Sequence, residues 1–126
     1  MRSHPDSEAH VAPGAVITKA TLRAADLLGI TARMLSSIIG VSEATVSRMR
    51  KQDFVLEAGT KPFELAVLFV RLFRSLDAIA GGDEPVARAW LRNENTALGD
   101  VPLEKIVTIT GLVDVIAYLD ARRALI

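Results

Sequence analysis

Residues 40–52, GVSEATVSRMRKQ, have the pattern of a tight turn that leads into a short amphipathic helix. Gly40 has the conformational freedom that such a turn requires, and Ser42 is a residue type that caps helix N-termini. Apolar residues occupy the positions where two helices joined by this turn would pack together: Leu35, Ile39, Val41, Val46 and Met49. The stretch therefore predicts a helix-turn-helix.

The same packing leaves polar side chains on the outside of the second helix. Arginine forms paired hydrogen bonds with guanine, and short hydroxyls reach base edges or phosphates, so this set suits the major groove of DNA. The charged residues at the helix end are expected to contact phosphates rather than bases. The predicted DNA-binding residues are Ser42, Thr45, Ser47, Arg48, Arg50 and Lys51. An αα-corner inside a helical bundle, without a DNA contact, is the alternative interpretation.

The distribution of charge agrees with a DNA-binding front half, although the whole chain has 15 basic and 15 acidic residues. Residues 18–51 contain six basic and two acidic residues, a net charge of +4. Residues 52–126 contain eight basic and eleven acidic residues, a net charge of −3. A basic front half favours contact with phosphates, and an acidic back half indicates a different task. The imbalance is modest, and ordinary solvated faces also account for it.

Helix signals recur along the chain, and no segment alternates as a β-strand would. Helices are predicted from Thr18 or Thr21, from Thr31, from Ser42, from Pro62 to about Ala80, from Asp83, from Pro102 to Ile109, and from Leu112 to Leu125. The long helix from Pro62 is apolar on nearly every side, which indicates contact with both halves of the fold or with a second subunit. We therefore predict an all-α chain with a flexible tail at residues 1–17, a helix-turn-helix domain at 18–60, and a helical dimerisation and partner-binding domain at 61–126.

Composition argues against several classes of function. Cysteine is absent, which excludes disulfides and thiolate metal sites and makes the cytoplasm the expected compartment. The N-terminal stretch lacks the apolar core of a signal peptide, and the most apolar run, residues 65–70, falls far short of the roughly 20 residues of a membrane span. Both histidines, His4 and His10, lie in the predicted tail. We therefore expect no catalytic residue, no metal and no cofactor.

A second motif lies in the back half, at residues 89–121, AWLRNENTALGDVPLEKIVTITGLVDVIAYLDA. Its features, in order, are Ala89-Trp90-Leu91, an asparagine-rich loop with Asn93 and Asn95, Leu98-Gly99, Pro102-Leu103, Gly111, and a final helix with Val115 and Leu119. This pattern resembles the toxin-binding domain of Xre/MbcA/ParS-type antitoxins, the partners of RES-domain toxins. The same family carries an Xre-like helix-turn-helix ahead of that domain, where GVSEATVSRM lies in this chain.

The resemblance implies an antitoxin that represses its own operon through the front domain. It also implies neutralisation of a RES toxin, an enzyme that consumes NAD, by a C-terminal segment that covers the active site. A homodimer, and a hetero-oligomer with the toxin, are the expected assemblies. The residues implied to bind the toxin are Leu98, Pro102, Leu103, Leu119, Arg122, Arg123, Leu125 and Ile126.

Two other functions remain open from the sequence. One is a one-component transcription regulator whose back half binds a small ligand, which requires a lined pocket between helices. The other is an interaction adaptor whose helix-turn-helix has lost DNA binding. The terminal apolar residues and arginines also have an ordinary explanation, since arginines near a helix C-terminus interact favourably with the helix dipole.

Overall fold

A computed structural model describes residues 12–125 of the chain. Over these residues the structure has seven helices: α1 (Pro13–Leu27), α2 (Ala32–Ile39), α3 (Glu43–Arg50), α4 (Lys61–Ile79), α5 (Glu84–Arg92), α6 (Pro102–Lys105) and α7 (Ile109–Arg123). The same residues form no strand, apart from an isolated bridge between Asn95 and Asp100. The prediction of an all-α fold is confirmed.

Helix α1 begins earlier than the sequence analysis predicts. Pro13 occupies the first turn, where its missing N–H costs no hydrogen bond, and the helix is continuous from there. Thr18, a predicted cap, is buried inside the helix, where its hydroxyl donates to the Gly14 carbonyl at 2.7 Å and accepts from the Leu56 amide at 2.9 Å. Residues 13–17, assigned to the tail, are therefore helical, Ala12 precedes the helix, and residues 1–11 of the predicted tail lie outside the described residues.

Helices α2 and α3 form the predicted helix-turn-helix. The Thr31 hydroxyl caps α2, and the Ser42 hydroxyl caps α3 by accepting from the Thr45 amide at 3.0 Å. Gly40 ends α2 with a φ of 74°, a left-handed conformation that favours glycine. The apolar residues predicted to pack across the turn contact one core, with Val41 partly buried and Leu35, Ile39, Val46 and Met49 buried.

Helix α4 runs through the middle of the molecule. It packs against α1 and α2 in the front half and against α5 and α7 in the back half. Its buried residues are Ala66, Phe69, Val70, Leu72, Ser75 and Leu76. Contacts within the chain therefore explain why α4 is apolar on nearly every side, and one hydrophobic core extends from α1 to α7.

The last two helices have different limits from those predicted. Helix α6 ends at Lys105, and α7 begins at Ile109 after the cap Thr108, whose hydroxyl accepts from the Gly111 amide at 3.0 Å. Gly111, which lies between the predicted helices that end at Ile109 and begin at Leu112, is instead part of the first turn of α7. A Cβ there would overlap the Lys105 carbonyl, so the absence of a side chain allows α6 and α7 to meet.

Two arginines of α5 join the back half to the C-terminal end of α1. Arg88 Nε donates to the Leu27 carbonyl at 2.9 Å, and Arg92 Nη2 donates to the Gly29 carbonyl at 2.8 Å. The last carbonyls of a helix have no partner within the helix, and a cation beside them is favourable. The arginines therefore stabilise the position of α5 against the helix-turn-helix domain.

Candidate functional site

The outward side of α3 is polar and exposed, as predicted for a reading helix. Ser47, Arg48 and Lys51 are exposed, together with Glu43 and Ala44 in the first turn. The opposite side of the helix is buried against the core. The geometry brings Ser47, Arg48 and Lys51 of the predicted set onto one accessible face.

Thr45 differs from the prediction of an exposed groove residue. Its relative exposure is 9%, and it is among the buried polar residues of the structure. Its hydroxyl lies 2.9 Å from the Ser42 hydroxyl and accepts from Arg48 Nη2 at 3.0 Å. This placement corrects the expected exposure, because the helical period turns Thr45 toward the core beside Val46 and Met49.

Arg48 is held in place by two neighbours. Its guanidinium donates to Thr45, one turn nearer the start of α3, and lies 5.8 Å from the centre of the Phe54 ring. The N-terminal part of a recognition helix is the part that contacts base edges. The hydrogen bond to Thr45 therefore directs the Arg48 guanidinium toward the N-terminal end of α3. Phe54, in the connector after α3, is a contributor that the sequence analysis missed, because no periodicity marks that connector.

The other predicted DNA-binding residues have different positions. Ser42 is exposed but caps α3 through its hydroxyl. Arg50 Nη2 lies 3.0 Å from Asp26 Oδ1 of α1, in a partly exposed ion pair. Lys51 is exposed at the end of α3 and makes no ion pair within residues 12–125. Arg50 is therefore oriented by α1, whereas Lys51 lies on the accessible face.

A cavity of about 470 Å³ lies between α1, the end of α3 and the connector that follows. Leu22, Met49 and Phe54 give it an apolar lining, and Lys19 and Arg50 also line it. The sequence analysis found no candidate pocket, because these residues come from separate segments. Its size falls within the range of small-molecule sites.

The residues predicted to bind a partner protein fall into two groups. Pro102 and Leu119 are buried, with Leu119 only 1% exposed, so a partner cannot reach them in this conformation. Leu98 and Leu103 are partly buried against the same core. These four residues support the surface of the back half, and the expectation that Pro102 and Leu119 form contacts is corrected accordingly.

The end of α7 contains the accessible part of that predicted set. Leu125 is 82% exposed, and both Arg122 and Arg123 are exposed. Arg123 Nη1 lies 3.5 Å from the Ser75 hydroxyl of α4, whereas Arg122 lies over the ring of Tyr118 at 5.8 Å. The two arginines therefore point to opposite flanks of α7. Ile126 lies outside the described residues.

Two surface features of the back half have no counterpart in the sequence analysis. Trp90 of α5 and Tyr118 of α7 stack with ring centres 6.1 Å apart. On the other flank of α7, Leu68, Val113 and Ala117 line a shallow groove between α4 and α7. Both features combine residues from distant segments, so no local pattern could reveal them.

No group of three or more His, Cys, Asp or Glu within residues 12–125 is arranged to hold a metal ion. No helix in that part of the chain has the length and apolar character to cross a membrane.

Comparison with known proteins identifies both halves. A model of the antitoxin Xre-like helix-turn-helix domain matches residues 8–71, just over half of the chain. A model of the antitoxin Xre/MbcA/ParS C-terminal toxin-binding domain matches residues 75–124. No curated protein gave a significant match. The two matches meet inside α4, the helix shared by both halves. The chain belongs to the Xre/MbcA/ParS-type antitoxins of toxin–antitoxin systems, with a DNA-binding helix-turn-helix in front and a toxin-binding domain behind.

Proposed function

We propose that this antitoxin neutralises a RES-domain toxin that consumes NAD, and that it does so by covering the toxin's active site with the end of α7 and the residues after it. The observation that carries the proposal is the exposed apolar Leu125, 82% accessible beside the exposed Arg122. An apolar side chain next to a cation suits a pocket that has an apolar wall and bound anions or carboxylates at its mouth. The RES identity of the toxin rests on the family resemblance.

The experiment tests whether the neighbouring reading frame encodes a RES-domain protein and measures NAD consumption by that protein, with and without the antitoxin. The full chain is expected to suppress the loss of NAD, and a chain that lacks residues 121–126 is expected to suppress it poorly. Lys51→Ala serves as the control, because it changes only the DNA-facing side and should inhibit the toxin fully. A truncated chain that still stops NAD loss would contradict the mechanism.

We further propose that the antitoxin represses its own operon as part of a type II system in the cytoplasm. The exposed face of α3, with Ser47, Arg48 and Lys51, supports contact with operator DNA. One helix-turn-helix binds weakly, and two copies on half-sites one helical turn apart bind cooperatively. A homodimer is therefore the proposed binding unit, and its complex with the toxin the proposed hetero-oligomer. The groove lined by Leu68 and Val113 is a suitable surface for the second copy.

A second candidate function is a ligand-responsive transcription regulator whose ligand site lies in the front half and not, as predicted from the sequence, in the back half. The cavity of about 470 Å³ beside α3 favours it, because a ligand that binds next to Arg50 and Met49 would act on the reading helix directly. The two candidates differ in their partner. Co-purification with the product of the neighbouring reading frame is expected for the antitoxin and not for a regulator of this kind.

A further inference from the structure

The only tryptophan and the only tyrosine of the chain stack on each other at the surface of the toxin-binding domain. Trp90 belongs to α5 and Tyr118 to α7, and each is only partly buried. We name the surface formed by Val86, Trp90, Tyr118 and Arg122 the aromatic flank. We propose that the aromatic flank is the principal docking surface for the toxin. This inference rests on the proposed function and adds where the toxin binds.

Contacts within the chain hold the side chains of the aromatic flank against one another. The two rings have centres 6.1 Å apart and an interplanar angle of 23°. The Arg122 guanidinium lies 5.8 Å from the centre of the Tyr118 ring, and its Nη1 is 3.4 Å from the Tyr118 hydroxyl. Because the three side chains restrict one another, they lose little conformational entropy when a partner binds them.

Burial within the chain explains only part of this arrangement, because Trp90 packs against the core and still remains partly exposed. The largest aromatic residue of the core is Phe69, which is fully buried, whereas Trp90 remains at the surface. One turn before Trp90 on α5, Val86 is 51% exposed. An exposed valine and an exposed arginine beside partly buried tryptophan and tyrosine rings have the composition of an interface hot spot.

On the opposite flank of α7, the carboxylate of Asp120 has partners within the chain. There Asp120 accepts from the Ser75 hydroxyl at 2.9 Å and forms an ion pair with Arg71. Arg123 lies beside the same serine. Neither Arg122 nor Arg123 has a carboxylate partner within residues 12–125. The two arginines differ in their surroundings, because Arg123 lies against a serine that Asp120 already engages, whereas Arg122 lies over the Tyr118 ring.

These features determine the chemistry of the partner surface. It has an apolar depression that receives Trp90 and Val86, and an aspartate or glutamate that receives the guanidinium of Arg122. The aromatic flank lies entirely within residues 75–124, the segment matched by the toxin-binding model. It is also continuous with the exposed end of α7, since Leu125 follows Arg122 by one turn. One partner can thus cover the aromatic flank and the end of α7 together.

The single tryptophan and tyrosine allow a direct test. The antitoxin is labelled with 5-fluorotryptophan or 3-fluorotyrosine, each of which gives one ¹⁹F resonance, and is titrated with the unlabelled toxin encoded beside it. We expect both resonances to shift or broaden in step with complex formation, which is measured independently by calorimetry. Iodide quenching and solvent-isotope shifts should both decrease when the toxin covers the rings.

Charge and polarity variants complete the test. Arg122→Gln is expected to weaken toxin binding about tenfold, and Val86→Asp by a similar factor. The control for Arg122→Gln is Arg74→Gln, which changes an exposed arginine of α4. The control for Val86→Asp is Val16→Asp on α1, because Val16 is 49% exposed and Val86 is 51% exposed. Both control residues lie outside the aromatic flank. The controls should change affinity less than about twofold. Circular dichroism and thermal unfolding verify that each variant folds.

The outcomes distinguish this inference from the function on which it rests. Binding with unchanged ¹⁹F resonances, or equal effects in variants and controls, would overturn the aromatic flank as the docking surface while leaving toxin binding intact. Absence of any binding to the folded full chain would overturn the proposed function itself and this inference with it.

Discussion

The exposed side of α3 is polar and its arginines are held by neighbours, whereas the exposed side of α7 combines apolar side chains with charged ones. On α3, Arg48 forms a hydrogen bond with Thr45 and lies over the ring of Phe54. Arg50 forms an ion pair with Asp26. On α7, Val113 is 47% exposed on one flank. The polar side suits a highly charged, hydrated partner such as DNA, and the apolar side suits another folded protein.

The two sides nevertheless depend on a single core. Helix α4 packs against the helices of both halves, and the arginines of α5 reach the carbonyl groups of Leu27 and Gly29 at the end of α1. The comparison therefore separates two functional surfaces and not two independent folding units. Three tests with four variants examine this difference, ordered from the largest expected effect to the smallest.

Gly111→Ala should have the largest effect, because a Cβ at this position would overlap the Lys105 carbonyl. Overpacking of this kind costs about 1–3 kcal/mol. Although the change lies in the back half, we expect the free energy of unfolding of the whole chain to fall, because both halves share one core. Urea unfolding followed by tryptophan fluorescence and by circular dichroism should give one coincident transition at lower urea. Thr110→Ala, an exposed neighbour, is the control and should stay within about 0.5 kcal/mol of the unchanged chain.

Two separate transitions in Gly111→Ala, with the front half unfolding at its original midpoint, would contradict a shared core. That result would indicate two independently folding domains, as the predicted division between residues 60 and 61 suggests. The division itself stays a prediction.

Arg48→Ala and Lys51→Ala test how α3 reads DNA. Arg48, directed toward the start of α3, is expected to contribute about 1–3 kcal/mol of discrimination between operator and unrelated DNA. Lys51→Ala should weaken binding to all sequences alike and reduce the salt dependence by about one phosphate contact. Mobility-shift titrations at several salt concentrations measure both quantities. An equal loss of discrimination in the two variants would contradict the assignment of base recognition to Arg48 and of phosphate contact to Lys51.

Local patterns were sufficient to predict α3 and its turn. Gly40, Ser42 and the apolar residues around them fix a helix-turn-helix through contacts between neighbours in sequence, so each had a recognisable signal. The ion pair between Arg50 and Asp26 was not predictable from the local pattern, because Asp26 belongs to α1. The sequence analysis groups Thr45 with the exposed polar residues of α3, but the helical period places its side chain on the buried side of the helix.

The surfaces of the back half were less predictable for a physical reason. The stacking of Trp90 on Tyr118 requires α5 and α7 to be placed by the core, and no spacing within either helix encodes it. Gly111 gave a misleading signal, since glycine commonly ends a helix but here allows close contact between α6 and α7. Only the resemblance of the whole segment indicated toxin binding, and it did so without distinguishing buried from exposed residues such as Leu119 and Leu125.

Asp26→Asn should have the smallest effect, and it acts on both stability and DNA binding. The variant loses the partly exposed ion pair with Arg50, which contributes less than about 1 kcal/mol, and it also removes a negative charge from the C-terminal end of α1, where that charge is unfavourable. The free energy of unfolding should therefore change little. Arg50 becomes available to phosphates, and the affinity for any DNA should rise about two- to fivefold at low salt. Glu104→Gln on α6 removes the same charge far from α3 in sequence and should leave affinity unchanged. If Asp26→Asn instead lowers the affinity for DNA, the ion pair positions Arg50 for binding, and the polar side of α3 depends on α1 for its function as well as for its stability.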